Sequence, residues 1–142
     1  MFGVETTIED KTRRVVESAN KASFKNVSHA AAAIRVDAIA SIQPGDGPSP
    51  AGTPPHTHTQ KVIKAGRTKK GLLPAAITFA ADKQVQDAVI GPRHSIVDLA
   101  GEAHEKGKTF QGDQYPERSF MGPALERKQS RFGASFQGSI GE

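Results

Sequence analysis

A chain of 142 residues is long enough for one domain that buries roughly two-thirds of the surface its unfolded form exposes, yet only 36% of it is hydrophobic and 6% aromatic, so the core is lean and built mostly from Ala, Val, Ile, Leu and seven Phe. The lack of Cys excludes disulfide frameworks, thiolate metal sites and thiol nucleophiles; no run approaches the ~18 apolar residues of a membrane span, and MFGVETTIEDKTRR is too acidic and polar for a signal peptide, so a soluble chain without a membrane partner is expected. The net charge of +4 is local: Lys61, Lys64, Arg67, Lys69 and Lys70 lie between Gly47 and Ala81 with no acidic residue, and without them the remainder is −1.

From about Ile8 to Ile42, Val15, Ala19, Ala22, Val27, Ala30, Ala31, Ile34, Ala38 and Ile42 recur at helical spacing, and HAAAAIRVDAIASI has the strongest helix propensity in the chain. A continuous helix there would be ~50 Å long, so it is expected either to bend near Phe24 to Ser28 or to project toward a neighbour. QPGDGPSPAGTPP, with five Pro and three Gly, opens a long Pro/Gly/Lys-rich loop at about 43–72. PAAITFAADKQVQDAVIGP predicts a β-hairpin with Ile77, Phe79 and Ala81 on one face, a turn around Asp82 to Gln84, and a second strand stopped by Gly91-Pro92. Ser95 with Asp98 suggests the start of a short amphipathic helix ending at Gly107; KTFQGDQYPERS reads as a polar loop. Pro123 opens a last helix with Leu125, Phe132, Phe136 and Ile140 as its apolar stripe. The sum is one domain, 1–142, with a long N-terminal helix, a β-hairpin, a short helix and a C-terminal helix.

His56 and His58 fall on one side of an extended chain, as two ligands for zinc or nickel would, but two ligands make no site and no Cys is present to complete one. The basic segment suits phosphate contact, yet it carries no aromatic for base stacking and no recognition-helix pattern, so a solvated loop is the simpler reading. Glu102, His104 and Glu105 are the acid/base candidates, spaced so that they converge poorly on a helix; with no nucleophile turn and no phosphate loop after a strand, neither catalysis nor a cofactor is expected. YPERSFMGPAL holds Tyr115, Arg118, Phe120 and Met121 between Pro116 and Pro123, residue types that interfaces favour, although Phe120 would serve equally as a core plug.

The order PAGTPPHTHT, LLPAAITF, AVIGP, LAGEAHEKG, YPERSFMGPALE, behind a long Ala-rich helix, resembles the tail-completion and virion-morphogenesis proteins of tailed bacteriophages over roughly Thr12 to Phe136. The chain departs from that pattern in the basic extension after Gln60, in Lys106 where an aromatic is common and in Ser119 where a second Pro is common. The resemblance implies an α+β, ring-forming subunit, a small twisted antiparallel sheet with a long N-terminal helix, a short helix and a C-terminal helix packed on it. The ring, hexameric by the symmetry of the tail tube, would sit in the virion neck between the head connector or stopper proteins and the tail tube or terminator, after synthesis in the host bacterial cytoplasm. Genomic DNA would meet it only by passage through the lumen. His56, His58 and the basic segment would then belong to a loop ordered against neighbouring neck proteins, and Tyr115, Arg118, Phe120, Met121, Phe132 and Phe136 to contacts between subunits. A basic nucleic-acid-binding protein and a head-side connector or stopper are the alternatives.

Overall fold

Alanine shapes the N-terminal third. In a computed structural model that describes residues 11–57 and 72–139, helix α1 runs uninterrupted over Thr12–Ser41, about 45 Å at ~1.5 Å per residue. The weak stretch Phe24 to Ser28 does not break it. Its buried side chains, Ala31, Ile34 and Ala38, all belong to the second half, whereas residues 11–18 are exposed throughout. Of the two expected outcomes, bend or projection, the helix projects.

The second long helix, α5 (Met121–Phe136), lies antiparallel along α1. Asp37 receives Arg127 at 2.7 Å and Lys128 at 3.3 Å near one end, and Asn26 donates to the Ser135 carbonyl at 3.0 Å near the other. The face α5 turns inward differs from the expected stripe. Ala124 is fully buried and Met121 and Phe132 pack partly against the core, but Leu125 is 49% and Phe136 42% exposed, and Ile140 lies outside the described residues. A small residue at the contact lets two helices approach closely, so alanine rather than leucine occupies the seam.

The hairpin forms as expected on one side of α1: β1 (Ile77–Asp82) pairs antiparallel with β2 (Asp87–Pro92), Phe79 opposite Ile90 and Ala80 opposite Val89. Ile77, Phe79 and Ala81 face inward, while Thr78, Ala80 and Asp82 are exposed. The Asp82 carboxylate accepts the N–H groups of Gln84 and Val85 at the turn. The second strand continues through Pro92 opposite Ile77 instead of stopping before it, because that end-strand position asks no hydrogen bond of the missing proline N–H; Arg93 N–H takes up the pairing, donating to the Ala76 carbonyl at 2.9 Å. Arg35 of α1 donates to the Ile77 carbonyl at 2.8 Å, pinning helix to strand.

Three local elements depart from the sequence reading. Leu72–Ala76 is a one-turn helix, α2, ahead of β1. The expected single short helix is two, α3 (His94–Val97) and α4 (Ala100–Lys106), separated by Asp98 at φ 51°; Ser95 sits inside α3 rather than capping it. α4 ends at Gly107 in the left-handed region, as expected. The polar loop contains a second, separate hairpin, β3 (Thr109–Phe110) with β4 (Asp113–Gln114). Its two turn residues, Gln111 and Gly112, both have positive φ, the conformation that matches the twist of a tight hairpin.

Candidate functional site

The features that stood out in the sequence meet where α4, the segment 115–122 and the proline-rich strap come together. Residues 43–57 of the long loop form that strap, tied into the body of the chain. Pro44 and Thr57 bridge in parallel, Thr57 N–H donates to the Gln43 carbonyl at 3.0 Å, and Ser49, Pro55 and Thr57 are buried. Two bonds fasten the strap to the segment before α5: Gly52 N–H to the Glu117 carbonyl at 2.9 Å, and Arg118 Nε to the Ser49 carbonyl at 2.7 Å. Arg118 N–H also donates to the His104 carbonyl at 2.7 Å, so this arginine joins strap, loop and α4.

Glu105, on the last turn of α4, is the most heavily engaged polar side chain here. Its carboxylate accepts the N–H groups of Phe120, Met121 and Gly122, each at 2.9 Å, and the Ser119 hydroxyl at 2.5 Å. These are the orphan donors at the start of α5, which has no side-chain cap of its own. Burial raises the Glu105 pKa, but the bonds from Met121, Ser119, Phe120 and Gly122 outweigh burial and hold the carboxyl below its ordinary range. Negative charge at a helix N-terminus is favourable for the same reason.

His104, its neighbour, is half-buried with its ring edge-on to Tyr115 at a centroid separation of 5.0 Å. Burial pushes its pKa down and the Arg118 charge pushes it further, and its Nδ1 is buried without a hydrogen-bond partner. Glu102 accepts Lys106 at 3.2 Å and Lys108 at 2.6 Å on the surface. The acid/base candidates on α4 therefore serve three separate ends: a surface ion pair, an aromatic contact and a helix cap. Beside them, Ile90, Pro92, Leu99, Glu105, Phe120 and Met121 line part of a groove of about 290 Å³ between β2 and α4. Gly101 sets that spacing, since a Cβ there would overlap the Pro92 ring.

Of the residues expected at interfaces, Phe120 is fully buried and is a core residue of the subunit, clustered with Ile34, Ala38, Ile42, Ile77 and Ala124, so it presents nothing to a partner. Met121 and Phe132 are half-buried against the same cluster, Tyr115 lies between His104 and Phe110, and Arg118 is spent on the strap; Phe136 alone of that group is left on the surface. His56 packs its ring over Gly45 with Nδ1 buried and unpartnered, whereas His58, Lys61, Lys64, Arg67, Lys69 and Lys70 lie outside the described residues. Among the described residues no three His, Asp or Glu side chains converge as metal ligands, and no helix is long and apolar enough to cross a membrane. The roles of Glu105 and Arg118 had no local signal, because their partners are distant in sequence. No family model, no curated protein and no solved structure matches the chain.

Proposed function

We propose that this chain is a structural subunit of the neck of a tailed bacteriophage, closing into a hexameric ring that completes the tail and joins it to the head connector. One observation carries the reading beyond motif order. Among the described residues nine hydrophobic side chains are buried, and five of them are alanine: Ala31, Ala38, Ala76, Ala103 and Ala124. Larger apolar groups stay outside, with Val15 and Val16 on α1, Val85 and Val89 on the hairpin, and Leu125 and Phe136 on α5 all about half exposed or more. An isolated two-stranded sheet is marginal in water, so identical neighbours abutting the hairpin and the projecting end of α1 would supply burial that the monomer lacks.

The role is assembly without catalysis, since Glu105 and His104 are engaged in holding α4, the strap and α5 together. The strap faces the neighbouring neck proteins in this arrangement. The test is in vitro joining. Phage particles made without this chain are expected to accumulate as separate filled heads and tails, and purified protein should restore infectious, joined particles. Joined particles formed in its absence would refute the role; restoration only after binding to free heads would move it to the head side.

A further inference from the structure

The solvent side of α1 carries a line of positive charge unrelated to residues 58–71. At 3.6 residues per turn, Lys11, Arg14, Lys21, Lys25 and His29 fall within about 80° of arc, and all five are exposed. The buried Ala31, Ile34 and Ala38 point to the far side of the helix. No acidic residue shares the stripe. The ion pairs of α1 among the described residues are Arg13 with Glu17 and Asp37 with Arg127 and Lys128, none of which uses Arg14, Lys21 or Lys25. The stripe also stands clear of the body: α1 continues about 20 Å, at ~1.5 Å per residue, past its bond from Asn26 to Ser135.

We propose that Arg14, Lys21 and Lys25 form a contact surface for the phosphate backbone of duplex DNA. Like charges held in line on a rigid rod favour a polyanion, and the acidic side chain that borders Arg14 and Lys21, Glu17, is paired with Arg13 at 2.9 Å. Three features select duplex DNA. Between the cations stand small residues, Ser18 and Ala22, and no aromatic or long apolar side chain lies within the arc from Arg14 to Lys25 to anchor a protein partner or stack an unpaired base. The projecting part of the helix offers Val15 and Val16 as its large exposed apolar groups, too few to sink into a lipid surface. The line from Arg14 to Lys25 spans about 17 Å, opposite which a duplex presents roughly ten phosphates at one per ~1.7 Å. This inference does not rest on the neck reading, since it concerns the free chain.

The experiment is fluorescence anisotropy of a labelled 20-base-pair duplex with the full chain, titrated between about 50 and 200 mM NaCl. The triple variant Arg14→Gln, Lys21→Gln, Lys25→Gln changes only exposed positions, and an unchanged thermal midpoint verifies its fold. Relative to the unsubstituted chain, its plot of log affinity against log salt should be shallower by about 2.7, at ~0.9 per phosphate contact, and its affinity at about 50 mM lower by about tenfold or more. Equal slope and affinity in the two proteins would overturn the proposal. So would loss of binding confined to a variant neutralised at Lys61, Lys64, Arg67, Lys69 and Lys70. Competition by poly-glutamate, or by vesicles containing phosphatidylserine, as effective as competition by unlabelled duplex would assign the stripe to an acidic protein or a membrane and equally overturn it. Head–tail joining is read in a separate assay, so failure of either idea leaves the other standing.

Discussion

The carboxylate of Glu105 accepts the backbone N–H of Met121 at 2.9 Å, so the end of one short helix caps the start of the last one. Three further donors, from Ser119, Phe120 and Gly122, converge on the same carboxylate. Glu105→Ala should therefore destabilise the fold by about 2–3 kcal/mol, as expected for loss of bonds to a charged acceptor, and Glu105→Gln by about 1–2 kcal/mol, since one acceptor oxygen remains and the charge is lost. Urea unfolding reads both effects as a lowered midpoint; wild-type midpoints would show that the cap contributes nothing.

Acid should act in two stages. The His104 pKa is held below 6.5 by burial and then by Arg118, so the unfolded chain takes the proton first; the stability this group contributes is complete above pH 6.5 and drains as pH falls through the depressed folded value. Glu105 lies below 4.5 because the bonds from Met121, Ser119, Phe120 and Gly122 outweigh burial, and Asp37 lies below 3.8 because Arg127 and Lys128 do the same. Their contributions are full above those ordinary values and are lost as pH falls past them. A melting series from pH 8 to pH 3 should decline twice; His104→Gln should remove the upper decline and Glu105→Gln should flatten the lower. A wild-type profile flat between pH 7 and pH 5 would contradict the His104 assignment.

Phe120 and Arg118 adjoin in sequence but should fail differently. Phe120→Ala empties a fully buried site and should cost about 3–5 kcal/mol, abolishing assembly by unfolding the subunit. Arg118→Ala removes the bond to Ser49 and should cost about 1–2 kcal/mol while exposing the strap between Pro48 and Thr57 to protease. Limited proteolysis followed by mass spectrometry separates the two: cleavage throughout the chain for Phe120→Ala, and at the strap first for Arg118→Ala.

Val89 is 73% exposed on the outer face of the hairpin, opposite Ala80. Val89→Lys should change subunit stability by about 1 kcal/mol or less yet block self-association, because a charge would be buried where hairpins abut. Light scattering that shows wild-type assembly in this variant would place the subunit contact elsewhere.

Much of the scaffold was legible. The Ala-rich run sets α1 by propensity alone, the alternation of Ile77, Phe79 and Ala81 sets the hairpin face, and Gly107 ends α4 because it tolerates the left-handed turn. What escaped has a common physical origin in tertiary contact. Ala124 beats Leu125 to the core because the distance between α1 and α5 decides which size fits, and size alone in sequence suggests the opposite. The hairpin at Thr109 to Gln114 is too short for a periodic signal and is marked only by Gln111-Gly112. The strap reads as loose proline-rich chain until Glu117 and Arg118 supply its partners. The candidate site was the least legible part: Glu105 and His104 look like acid/base groups in isolation, and their roles exist only once residues 115–122 lie against α4.

The mass and shape of the purified protein test the central claim most directly. Light scattering with negative-stain electron microscopy should find closed rings of identical subunits, with hexamers dominant, appearing as concentration rises and dissociating in the Val89→Lys variant. A folded monomer that persists at every concentration and is missing from the necks of phage particles would contradict it.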